Sequence, residues 1–153
     1  MSYFHDVIDF HNKFGLKYDE GPRCLAPEEL EYRIKFLQEE LTEVIEALRA
    51  GDLAQTGGEV ADLIWVACGL AHRMGLNLDR HWDEIQRANM SKEMASPENP
   101  GKRGSKMDIV KPKGWEPPDH QGVLKVTRDL YELIKKRGRE CGHVDITDLR
   151  EST

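Results

Sequence analysis

The twelve residues VADLIWVACGLA (60–71) constrain this chain most, because they are apolar almost throughout and carry one charge, Asp62. Twelve residues are too few for a membrane span, which needs about 20. An apolar segment of that length that cannot cross a bilayer reads as a central buried helix. The same pattern extends from Gly58 to Met74, and Gly75 closes it.

The rest of the chain arranges itself around this segment as further helices. Phe4, Val7, Phe10 and Phe14 recur at three- and four-residue steps and predict a short amphipathic helix over residues 3–14. Pro27 stands where a helix begins and Gly51-Asp52 where one stops, which predicts a long helix over 27–50. AQTGG (54–58) reads as a lead-in to the buried helix. Asn77 is placed to cap a helix over 78–90, with Leu78, Trp82 and Ile85 on its inner face. Residues 96–119 hold five of the seven prolines and read as a wrapping loop. Val123, Val126, Leu130 and Leu133 predict a last helix over about 121–136, followed by a polar tail. No β-alternation is long enough to build a sheet, so the fold class is all-α, a helical bundle.

Composition excludes several functions. Charged residues are 33% and hydrophobic ones 39%, which suits a folded chain with amphipathic helices. A net charge of -6 argues against a general nucleic-acid binder, which needs basic surface to displace counterions. The start MSYFHDVIDF lacks the regions of a signal peptide, so the expected location is the cytoplasm, with no membrane partner. Cys24, Cys68 and Cys141 are odd in number and widely spaced, which predicts reduced thiols. Cys141-Gly142-His143 has no second ligand pair and reads as surface coil rather than a zinc site.

At about 100° per residue, Leu30, Ile34, Leu37, Leu41, Val44, Ile45 and Leu48 form one apolar stripe of the long helix. Lys35, Thr42 and Glu46 point away from it. Glu40 and Glu43 project from the stripe's flank, beside Phe36 and Ala47, with Glu39 nearer solvent. A helix packed on that flank would hold two carboxylates close together and partly dehydrated, which is costly without a cation. Glu59 and Asp62, three residues apart, repeat the arrangement on the apolar helix. Two readings stay open: a solvated charge run, or four hard oxygen ligands of the kind Mg²⁺ or Mn²⁺ prefers. Asp62 inside an apolar helix weighs toward the second. A di-iron bundle would need Glu-x-x-His pairs, and none occurs.

QEELTEVIEAL and GGEVADLIWVACGLAHRMG, followed by Asn89-Met90-Ser91-Lys92 and by Lys113-Gly-Trp-Glu-Pro-Pro-Asp119, resemble the all-α nucleotide pyrophosphohydrolases. That group includes MazG, dimeric dUTPases and phosphoribosyl-ATP pyrophosphohydrolase, and the likeness is to phage and bacterial MazG-like members. The resemblance implies a catalytic domain over 1–119 and a separate C-terminal helix and tail over 120–153. It implies Glu40, Glu43, Glu59 and Asp62 as metal ligands, Glu39 as a further ligand or the residue that orients water, and two to three Mg²⁺ or Mn²⁺ ions. Glu39, Glu43 and Lys92 are the candidate catalytic residues. His11, Asn12, Phe14, Arg33, Asn89 and Lys92 are the candidate substrate contacts, although for Phe10 and Phe14 core packing is the favoured role over stacking on the base. Gly58 stands where many relatives have another acid. The implied partner is a nucleoside triphosphate, dGTP foremost, and the implied assembly a homodimer or homotetramer. The alternatives are house-cleaning, dUTP or phosphoribosyl-ATP hydrolysis, and a non-catalytic interaction module.

Overall fold

A computed structural model describes residues 2–16, 18, 20–105 and 107–141. His143, and with it the Cys141-Gly142-His143 pair, lies outside them. Five helices carry the described residues: α1 (Tyr3–Lys13), α2 (Pro27–Ala50), α3 (Leu53–Arg73), α4 (Leu78–Met90) and α5 (His120–Cys141). The fold is all-α, with two short strands, β1 (Glu93–Met94) and β2 (Ile109–Val110), inside the proline-rich stretch.

Local chemistry sets most boundaries. α1 starts at Ser2, whose hydroxyl accepts a hydrogen bond from the His5 N–H. α2 starts with Pro27 in its first turn and ends at Gly51, whose φ of 71° is the left-handed conformation a glycine adopts without a Cβ penalty. α3 corrects the sequence reading, since it begins at Leu53 and takes AQTGG into its first turns. Asp52 caps it, Oδ1 accepting from Gln55 N at 3.0 Å. That cap and the packing of α2 on α3 offset the helix penalty of Gly57 and Gly58, about 1 kcal/mol each. α5 is also longer than its predicted 121–136.

Two compact units are formed. The first contains the described residues through Leu78 and those from Leu124 to Cys141. α3 packs on α2 along one side and on α1 along another. Its core joins Phe4 and Val7 of α1 to Cys68 and Ala71 of α3, with Ile8 and Leu76 packed against them. α1 has 11 residues against the 21 of α3, so it covers only about half of the longer helix. Leu53, Val60 and Ile64 of α3 consequently stay exposed, and the expectation of a helix buried on all sides is corrected.

The predicted stripe of α2 is corrected in the same way. Leu30, Ile34, Leu41, Ile45 and Leu48 are 38–61% exposed, whereas Glu40, Val44 and Ala47 are buried. α2 therefore meets α3 with the flank from which Glu40 and Glu43 project, and its most apolar face remains open.

The second unit, Asp79–Val123, holds most of α4 and the β1–β2 ladder, paired antiparallel with Glu93 opposite Val110 and Met94 opposite Ile109. Trp115 Nε1 donates to the Ala88 carbonyl at 2.7 Å, and the Asp108 carboxylate accepts from Arg103 N and Nε at 3.0 and 3.1 Å. These bonds give a segment with little apolar content a defined path. Among the described residues, no helix is long and apolar enough to cross a membrane.

Candidate metal centre

The α2–α3 seam has a register that can be read from its contacts. Glu29 Oε1 accepts from Arg73 Nε at 2.7 Å, Arg33 lies against Gly69, Glu40 lies in the field of Asp62, and Glu43 lies in that of Glu59. Each advance along α2 is matched by a retreat along α3, so the helices are antiparallel, and the two acid pairs share one stretch of the seam. Period 3.6 then puts i and i+3 carboxylates on the facing sides.

Glu40, Glu43 and Glu59 each offer a carboxylate oxygen, and these oxygens lie within 4.8 Å of one another. Glu40 is buried, at 9% exposure. Dehydration, then the charges of Asp62, Glu39 and Glu59, holds its pKa above the usual carboxylate range. Glu43 is raised as well, by dehydration first, then by Glu59, Glu40 and Glu39, and by a hydrogen bond with Glu59. Asp62 and Glu39 are exposed and stand outside the compact trio, yet close enough to act on it. Among the described residues, none of these five acids is in an ion pair with Lys or Arg. A crowded set of oxygen donors without a counter-cation fits a hard divalent ion, and the absence of Cys and His from the set disfavours a softer one.

The raised pKa values imply a pH dependence. A carboxyl whose folded pKa lies above its unfolded one favours the native state at low pH, and that stability is lost as pH rises through the folded value. Glu43→Gln removes one charge from the cluster. In metal-free protein it is expected to raise Tm over wild type at pH 7.5, the gain shrinking as pH falls through the raised titration range of Glu40 and Glu43. Melting curves in chelator check this, and a difference that does not change with pH would show that the acids do not repel one another.

The other predicted site residues fall into two places. His11 is buried rather than a polar neighbour of the surface, and its Nδ1 stands 2.6 Å from Nδ1 of His72. Dehydration, then His72, Arg33 and Arg73, pushes the His11 imidazole down to about 4, and His72 is lowered by the same burial and arginines. Both rings are thus neutral near pH 7. Phe10 and Phe14 are 40% and 57% exposed, so they are not core as the sequence suggested. Their rings are tilted by 54° at 4.7 Å between centroids, and Phe10 meets Trp65 edge-on at 5.3 Å. Asn12 is half-buried nearby in the sequence, and Lys35 is exposed. Asn89 and Lys92 belong to the second unit, where Lys92 Nζ donates to Asn89 Oδ1 at 2.7 Å.

Sequence reasoning missed the polar cluster of Glu29, Arg73, His72 and Tyr18. Only Glu29 and Arg33, one helical turn apart, hinted that charge would recur on that face.

What the fold and the acids define is a class: an all-α protein whose central helix pair carries a carboxylate cluster suited to divalent cations. The chain belongs to the phosphoribosyl-ATP pyrophosphohydrolase family, whose model matches residues 7–89, and so to the all-α nucleotide pyrophosphohydrolases. The match runs from α1 to Asn89 and takes in all five acids. No curated protein matches the chain. Nucleotide pyrophosphohydrolase activity is what the family implies.

Proposed function

We propose that this protein is a metal-dependent nucleoside triphosphate pyrophosphohydrolase, converting a (deoxy)nucleoside triphosphate and water to the monophosphate and diphosphate. The observation that carries the reading is the Glu40, Glu43 and Glu59 trio, drawn together without a basic partner on the seam of a family fold. These three residues, joined by Asp62, would hold two or three Mg²⁺ or Mn²⁺ ions. Bound there, such ions neutralise triphosphate oxygens and acidify water.

The remaining steps fall to the chain's own groups. Glu39, exposed beside the trio, orients the attacking water and accepts its proton. Water oxygen bonds to phosphorus, the bond linking the α- and β-phosphates breaks, and diphosphate leaves with the electron pair. Lys92 and Asn89 are assigned to the phosphates by family resemblance, the Lys92 ammonium countering charge on the leaving group.

Resemblance to phage MazG-like members puts a purine deoxynucleotide, dGTP, first among substrates. The family description favours phosphoribosyl-ATP as the second reading. Turnover of the eight common nucleoside triphosphates and of phosphoribosyl-ATP, with Mg²⁺ or Mn²⁺ and product identification, separates them. Monophosphate plus diphosphate is expected, and release of inorganic phosphate alone would exclude the reaction.

The open face of α2, with Leu53, Val60 and Ile64 of α3, supports assembly as a homodimer or homotetramer. Light scattering that returns the mass of one chain at micromolar concentration would remove that proposal.

A further inference from the structure

Arg33 is the unexplained charge of the α2–α3 seam. It is half-buried, its Nε is shielded from solvent without a hydrogen-bond partner, and among the described residues it has no ion pair. A guanidinium N–H that has lost water and gained no acceptor is costly. The charge of Glu29 acts on Arg33, but its carboxylate is bonded to Arg73 at 2.7 Å and Arg23 at 3.5 Å, and the Tyr32 ring lies 5.6 Å from the Arg33 guanidinium carbon. The two buried histidines face each other and add no negative charge.

The surroundings identify what is missing. A Cβ at Gly69 would stand 3.4 Å from Arg33 Nη1 and 3.5 Å from Cε1 and Nε2 of His11, so Arg33 and His11 border the place left bare by this glycine. Trp65, one turn back from Gly69, joins Phe10 and Phe14 in an aromatic group that is 39–57% exposed. Arg33 precedes Glu40 by seven residues, two turns on the same face and about 10.5 Å along the axis. That interval is of the order of the distance from a nucleotide's base to its phosphates.

We propose that Arg33 is the specificity-determining residue for the base, its fork donating to two adjacent acceptors of a 6-oxopurine while Phe10, Phe14 and Trp65 offer the stacking surface. The inference rests on the nucleotide reading above. Guanine and hypoxanthine present O6 and N7 side by side, which suits a bidentate guanidinium. Adenine keeps N7 but sets an amino donor in place of O6, so one arm of the fork would face a donor and stay unsatisfied. A purine also covers more of the aromatic group than a pyrimidine does.

The test compares kcat/KM for dGTP, dITP, dATP, dCTP and 7-deaza-dGTP in wild type and in Arg33→Lys, which keeps the charge and loses the fork. Wild type is expected to favour dGTP and dITP over dATP by about 10- to 100-fold, and to lose a similar factor when N7 is replaced by carbon. Arg33→Lys is expected to compress the dGTP to dATP ratio to within about threefold. An unchanged ratio, an equal loss on every substrate, or a wild-type preference for dATP or dCTP would overturn the proposal. Equilibrium binding of GMP and AMP in chelator supplies a readout independent of turnover. If no triphosphate is hydrolysed but GMP binds more tightly than AMP, and Arg33→Lys abolishes the difference, the catalytic reading fails and the Arg33 assignment stands. Equal binding of GMP and AMP by wild type overturns it.

Discussion

Glu43→Ala is expected to lower turnover by about a thousandfold, some 4 kcal/mol of barrier, while the helical circular dichroism is unchanged. The size follows from the place of Glu43 in the trio, where its oxygen lies within 4.8 Å of those of Glu40 and Glu59. Removing it takes away one of the four proposed ligands and one of the three that lie close together, which weakens the hold on the cations that a triphosphate requires. The fold is expected to survive because Glu43 gives up hydration and stands among the like charges of Glu59, Glu40 and Glu39, both of which raise its pKa and neither of which favours the folded carboxylate. Asp62→Ala belongs to the same experiment, since Asp62 acts on Glu40 from the facing helix. Near wild-type turnover with Mg²⁺ in both variants would falsify the metal-cage reading.

The second large effect concerns stability. Gly75 follows α3 at a φ of +66°, and its N–H and that of Leu76 close the helix on the His72 and Ala71 carbonyls, each at 3.0 Å. A Cβ there would lie 2.5 Å from Tyr18 Cε1 and 2.9 Å from the Gly21 carbonyl oxygen. The loop cannot simply retreat, because Arg23 N donates to the Met74 carbonyl at 3.0 Å and the Tyr18 hydroxyl donates to the Gly21 carbonyl. Gly75→Ala combines a left-handed conformation with overpacking and is expected to cost about 2–4 kcal/mol. For a chain of this size that corresponds to a Tm lower by roughly 5–15 °C. A loss under a degree would mean that the α3 exit and the loop around Gly21 are not in contact in solution.

Which features were legible in sequence depends on how local their causes are. α2 was predicted at 27–50 and spans Pro27–Ala50, because a proline in the first turn and a left-handed glycine at the end act within a few residues. α3 began earlier than predicted because Gly57-Gly58 reads as a breaker, whereas the Asp52 cap and the packing on α2 keep it helical. Angular bookkeeping placed Glu40 and Glu43 on a flank of α2 rather than on its solvent side, and that flank is the one that meets α3. His11 paired with His72 was out of reach, since the partners are 61 residues apart and neither leaves a periodic signal.

The acidic chemistry on an apolar helix pair was therefore determined by residue type and helical period alone: Glu-Glu-x-x-Glu and Glu-x-x-Asp carry their own spacing. Asp62, the most conspicuous charge in the apolar run, turned out to be exposed, and the buried member of the set is Glu40. Tertiary structure decided that, because burial depends on which of two available faces a helix turns to its neighbour. α2 has a greasier face than the one it turns to α3, and on the flank it does use Arg33 lies beside Gly69 and Val44 and Ala47 are buried. Period specifies which residues share a face, and packing chooses which face is covered.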